Sequence, residues 1–149
     1  MEIGRIMTKD VVTLSPQTTV KDAVSLLFKL KMSGLPVVDE ENHVIGMFTE
    51  KDVLRTILPS YVEQFEALTK VFGHKGLERR MSQLETIKVG EIMRKEVVCV
   101  EEHTPIVEVA KIMLVQNVRR IPVLRDNRLV GIVAREDILR SILTMTGKE

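Results

Sequence analysis

"GLPVVDEENHVIGMFTEKD", residues 34–52, returns 86 residues further on as "RIPVLRDNRLVGIVARED", residues 120–137. Both stretches place an apolar run entered through Leu-Pro-Val or Ile-Pro-Val ahead of a short polar segment, then a second apolar run with one internal glycine, then a charged segment ending in Asp. Apolar runs around an Asp/Asn-containing turn predict a β-hairpin in each copy.

The repeat extends outward from the hairpins. "IMTKDVVTL" at 6–14 lies over "IMRKEVVCV" at 92–100, with five of nine positions identical. The β-branched runs "VVTLS" and "VVCVE" predict short strands. Behind the first, Thr18 or Thr19 can cap a helix carrying Val20, Ala23, Val24, Leu27 and Leu30 on one face; behind the second, Thr104 caps with Pro105 as the first helical residue, ahead of Ile106, Val109, Ala110 and Met113. A further helix follows each hairpin, "EKDVLRTIL" and "REDILRSIL". The order is β-α-β-β-α, twice, and the fold class is α/β. One such unit is too small to bury its sheet face alone, so two would be expected to share a core.

Three segments result: a first motif over 1–58, a segment over 59–85 without counterpart, and a second motif over 86–149. The middle segment sets Tyr61, Phe65, Leu68 and Phe72 at helical spacing and resumes with Leu77, Met81 and Leu84 after a Gly-containing break, which predicts a helical insert. It carries three of the five aromatic residues, so its apolar face packs on its own module, on a second copy or on a partner protein.

Composition narrows the function classes. At 44% hydrophobic and 29% charged residues the chain is that of a soluble globular protein, and no apolar run reaches the ~18–20 residues of a membrane span. "MEIGRIMTKD" has no apolar stretch of the secretory type, which makes the cytoplasm the expected compartment. A net charge of +1 argues against general nucleic-acid binding, although Lys70, Lys75, Arg79 and Arg80 form a local basic run. The single Cys99 sits in an apolar run and is expected in the core, and His43, His74 and His103 fall in separate polar turns, expected at the surface and without metal-ligand spacing. No nucleophile motif or Gly-rich phosphate loop is present, so an enzyme is not expected.

The paired β-α-β-β-α units, the "LPV" and "IPV" strand entries, the glycine of the second strand and the Asp opening the last helix resemble the CBS (cystathionine-β-synthase) domain, here in tandem. The resemblance takes in some 120 of the 149 residues and omits the insert. It implies two motifs packed around a pseudo-twofold axis, a homodimer, and clefts that bind adenosine compounds: AMP, ADP, ATP or S-adenosylmethionine. In the family the Asp of a Thr/Ser-x-x-Asp motif holds the ribose, the adenine lies along the strand entry, and basic residues meet the phosphates. Carried over, Thr49 and Asp52 match that motif, Leu35-Pro36 and Ile121-Pro122 are the strand entries, and Asp137 matches while Ala134 replaces its hydroxyl partner.

These residues also have readings of their own. Thr49 with Asp52 fits a helix capping box as well as a diol-binding pair, and the persistence of Asp137 beside Ala134 favours the ligand. Arg119 and Arg120, where the first copy has Ser33 and Gly34, form either a solvated edge or a phosphate contact, the latter through Arg120. Gly34 either leaves room for a ligand or takes a turn conformation closed to other residues. The expected protein is a regulatory module with an adenosine-containing ligand; a scaffold that docks a partner through 59–85 is the alternative, and a nucleic-acid binder the weaker third.

Overall fold

A computed structural model describes residues 1–58 and 82–147. Most of the expected helical insert, with Tyr61, Phe65, Phe72, His74 and the basic run, lies outside the described residues. Two compact units form, and their boundaries do not follow the linear repeat. The leading unit gathers Thr13–Asp39 and Ile45–Glu96; the trailing unit gathers Met1–Val12, Glu40–Val44 and Val97–Glu149.

In the leading unit, helix α1 (Val20–Leu30) precedes strand β1 (Gly34–Val38), which pairs with β2 (Val44–Thr49) ahead of helix α2 (Glu50–Ile57) and the short helix α3 (Val89–Ile92). Thr19 caps α1 by accepting from the Asp22 amide at 3.2 Å, and Lys31 ends it in the left-handed conformation, φ 56°. The predicted apolar face is the buried one: Val20, Ala23 and Leu27 pack with Leu14, Leu35, Val37, Phe48, Val53 and Val89. The expected first strand shrinks to a bridge, Leu14 pairing with Val37 through backbone bonds of 2.9 Å on either side.

The trailing unit is the same motif with a fuller sheet. Strand β3 (Val100–Glu101) runs parallel to β4 (Arg120–Arg125), which pairs antiparallel with β5 (Arg128–Ala134). The β4–β5 turn is Asp126-Asn127, at φ 51° and 64°, the positive pair that a two-residue type I′ hairpin demands and Asp and Asn tolerate. Helix α4 (Ile106–Gln116) begins one residue later than expected, with Pro105 rather than Thr104 as cap, because the Thr104 carbonyl accepts from Ile3 at 2.8 Å. Helix α5 (Arg135–Gly147) closes the unit, and Ile3, Ile106, Val109, Met113, Ile121, Val123, Val133 and Ile138 are among its core residues. Cys99 is half-buried rather than a core residue, and burial pushes its thiol up, away from reactivity.

Each unit is completed by the leader of the other repeat. Thr8 and Ile132 exchange backbone bonds of 2.8 and 2.9 Å in the trailing unit, and Arg94 and Met47, their repeat equivalents, exchange two of 2.9 Å in the leading one. This crossing explains the repeated glycine. A Cβ on Gly131 would strike the Met7 side chain and stand 3.0 Å from the Thr8 carbonyl; one on Gly46 would strike Met93 and stand 3.0 Å from the Arg94 carbonyl. The glycine of "VIGMF" and "LVGIV" is a seat for the exchanged leader, and Ile3 and Val89, fully buried in the two cores, are its anchors.

Candidate functional site

The corner where β1 enters and α2 begins gathers the leading unit's site residues. The Glu50 amide donates to the Ser33 carbonyl at 3.0 Å, which sets the head of α2 against the start of β1. Asp52, at 4% exposure, is the buried acid of the described residues. Its Oδ2 accepts from the Thr49 amide at 2.8 Å and from the Thr49 hydroxyl at 3.3 Å, while Oδ1 accepts from Arg55 at 2.6 Å. Burial of a carboxylate needs such partners. The arrangement is the acid half of a capping box, with Oδ1 facing Arg55, whose side chain is 68% exposed and can turn toward solvent.

Gly34 lies against this pair. A Cβ there would stand 2.8 Å from Thr49 Cγ2 and 3.0 Å from the Phe48 carbonyl, so its role is close approach to β2 rather than a turn conformation, since its φ is not positive. In the trailing unit Arg120 pairs across the ladder with Ala134, the equivalent of Thr49. Glycine faces threonine in one copy and arginine faces alanine in the other. The small residue has changed sides, which gives a packing reason for the missing hydroxyl.

Asp137 repeats the cap without that hydroxyl. Its Oδ2 accepts from the Ala134 amide at 2.8 Å, and Oδ1 accepts from Arg140 at 3.3 Å. The expectation that Asp137 persists for a ligand's sake therefore loses its argument, because the acid needs only the backbone amide to cap. Asp137 is also more open than Asp52, at 16% exposure of the side chain.

Leu35, Pro36, Ile121 and Pro122 are fully buried, with Leu35 and Ile121 in the two cores. Their side chains are structural, and the Pro36 carbonyl accepts from the Leu14 amide at 2.9 Å. Arg119 sits at the surface, its Nε donating to Glu136 Oε1 at 3.4 Å. Burial raises the Glu136 carboxyl, but its own backbone amide and the charges of Arg119 and Arg120 outweigh it and hold the group below the usual carboxylate range.

Sequence reasoning did not foresee the pairing around His103. This exposed ring meets Glu2 Oε2 through Nδ1 at 2.8 Å, and Arg125 grips Glu102 with two bonds of 2.7 Å beside it. The ring pKa is raised, first by the hydrogen bond to Glu2 and then by its charge. Only the exchanged leader brings Glu2 there, so no local signal marks the pair. His43 is partly buried rather than fully at the surface, and among the described residues no group of His, Cys, Asp and Glu is arranged to hold a metal ion. No helix of the described residues is long and apolar enough to cross a membrane.

Comparison with known proteins places these features. The CBS domain profile matches twice, over residues 3–59 and 89–144. A CBS domain-containing protein of Dictyostelium discoideum is 34% identical over 139 residues, spanning 92% of this chain and 88% of its own length. The inosine-5'-monophosphate dehydrogenase of Methanocaldococcus jannaschii is 34% identical over 136 residues, 91% of this chain, but the match spans only 22% of that enzyme. Among solved structures, the CBS-pair protein CBSX2 of Arabidopsis thaliana superposes with a TM-score of 0.79 at 26% identity, covering 98% of this chain and 96% of that one. CBSX2 has also been crystallised in complex with AMP, and that structure superposes with a TM-score of 0.74 at 27% identity over 97% of this chain and 98% of that one.

Proposed function

The chain belongs to the CBS domain family, as a tandem pair, and on that premise we propose that it is a regulatory module which binds an adenosine-containing ligand and passes the bound state on through a change in packing. The observation that carries this reading is the buried Asp52 at the head of α2, held by Thr49 and by an exposed Arg55 that a ligand can displace. A carboxylate released from Arg55 offers charge-assisted bonds to the two hydroxyls of a ribose, with β1 entry backbone close by for the base. The AMP complex of CBSX2 supports AMP as the first ligand to test; ADP, ATP and S-adenosylmethionine belong to the same class. The module is not itself an enzyme on this reading, and the dehydrogenase match, confined to 22% of that protein, carries no activity across.

A homodimer and a cytoplasmic setting complete the proposal. Leu139 and Leu143 on α5 stand 61% and 70% exposed, Val107 and Leu114 on α4 81% and 80%, more apolar helix surface than one copy covers, which supports self-association. Residues 59–85 are the segment through which a protein partner would dock. A melting screen with the four ligands, read beside calorimetry and light scattering, is the test. A ligand at about 100 times its Kd stabilises a folded state that alone binds it by about 2.7 kcal/mol. Stabilisation by at least one of them is expected; no binding to any would leave the scaffold that docks a partner.

A further inference from the structure

Met7 and Met93 hold equivalent positions in the repeat, and each lays its thioether on the second-strand glycine of the other copy. The fit is close. A single carbon added to Gly131 would strike the sulfur of Met7, and one added to Gly46 would strike that of Met93. The same two positions stand 3.0 Å from the carbonyl oxygens of Thr8 and Arg94. On its glycine side each seat therefore has no spare volume, and the polar atom beside it is an acceptor.

The two side chains sit between the attachments of each leader. The Met7 amide donates to the Ile3 carbonyl at 3.1 Å and the Met93 amide to the Val89 carbonyl at 2.8 Å, which ties each thioether to a buried anchor. One residue on, Thr8 bonds Ile132 and Arg94 bonds Met47. Both methionines are partly buried and packed against the outside of a core, whereas Met113, at 2% exposure, lies within one. A thioether at such an edge is within reach of a small oxidant, and its sulfoxide is polar and larger by one oxygen. That oxygen accepts hydrogen bonds, which a neighbouring carbonyl cannot donate.

We propose that Met7 and Met93 are a paired oxidation site whose conversion to sulfoxide unseats the exchanged leaders. With hydrogen peroxide as oxidant, a sulfur lone pair attacks one peroxide oxygen: an S–O bond forms, the O–O bond breaks and water leaves, the sulfur losing two electrons and the peroxide gaining them. Methionine sulfoxide reductase reverses the step with two thiols, which join in a disulfide as the oxygen departs as water. The proposal is independent of the adenosine reading, since it concerns the leaders alone.

The test treats the folded parent and M7L/M93L with hydrogen peroxide, locates sulfoxides by peptide mass spectrometry and follows thermal melting. Met1 and Met145, 59% and 54% exposed, serve as internal controls and should oxidise without changing the melt. Sulfoxide at Met7 and Met93 should lower the parent's melting temperature by about 5 °C or more, because each unit gains a polar atom without a partner, and the reductase with a thiol should restore it. Leucine roughly conserves the volume of methionine, so M7L/M93L should fold and keep its own melting temperature through the same treatment. Should the double variant fail to fold, M7L and M93L singly, each leaving one seat oxidisable, should show about half the parent's fall. The proposal is overturned by a peroxide-induced fall in M7L/M93L, or in both single variants, as large as in the parent. It is equally overturned by a parent carrying both sulfoxides that melts unchanged, or by Met7 and Met93 staying reduced while Met1 and Met145 are fully oxidised.

Discussion

Asn in place of Asp52 separates the two roles of that residue. Asp52 accepts from the Thr49 amide at 2.8 Å and from Arg55 at 2.6 Å while only 4% exposed, so alanine would strand a largely buried donor and cost about 1–3 kcal/mol. Asparagine keeps an acceptor for the Thr49 amide. What it loses is the charge facing Arg55, and its amide NH2 cannot accept from that guanidinium, which at 68% exposure can turn to solvent instead. Asp52→Asn should therefore melt closer to the parent than Asp52→Ala does, since it keeps the acceptor for the Thr49 amide. Its effect on a ribose-containing ligand should be much larger, because bonds to a charged acceptor contribute about 1.5–3 kcal/mol, or roughly ten- to a hundred-fold in Kd. Thermal melting gives the first quantity and calorimetric titration with AMP the second, with Asp52→Ala as the variant expected to lose both stability and binding. If Asp52→Asn melts normally and binds AMP as tightly as the parent, Asp52 is a cap and nothing more, and the ribose assignment falls.

Two further predictions concern the exchanged leaders. Gly46→Ala should destabilise by about 1–2 kcal/mol, overpacking against Met93 and the Arg94 carbonyl outweighing the stiffer unfolded chain, and Met93→Ala in the same protein should recover part of the loss; strictly additive melts would mean that Met93 does not sit over Gly46. Because Glu2 raises the His103 pKa, the pair's contribution is fully present below the ordinary imidazole pKa of about 6.5 and disappears as pH rises through the raised value. The gap in melting temperature between the parent and His103→Gln should accordingly narrow from slightly acidic to alkaline pH, with Glu102, Arg125 and Lys9 as the neighbouring charges; a gap that stays constant across that range means Glu2 does not hold the ring.

The hairpins, the amphipathic helices and their buried faces were legible in the sequence, because period and turn chemistry are local. Val20, Ala23 and Leu27, or Asp126-Asn127 at positive φ, need no distant partner to be read. The repeat also marked Thr49, Asp52 and Asp137 as a set. It did not reveal that Asp137 caps α5 through the Ala134 amide, nor that Arg120 stands opposite Ala134 in the ladder. Those are cross-strand facts. The same holds for the repeated glycines, which spacing could flag but not explain, and for His103, which finds Glu2 at a separation of 101 residues. A linear repeat suggests that each copy folds on itself. The tertiary structure instead gives each unit the other's leader, since burying Ile3 and Val89 needs a core into which a three- or four-residue helical turn can insert, and that core is built from residues a full repeat away.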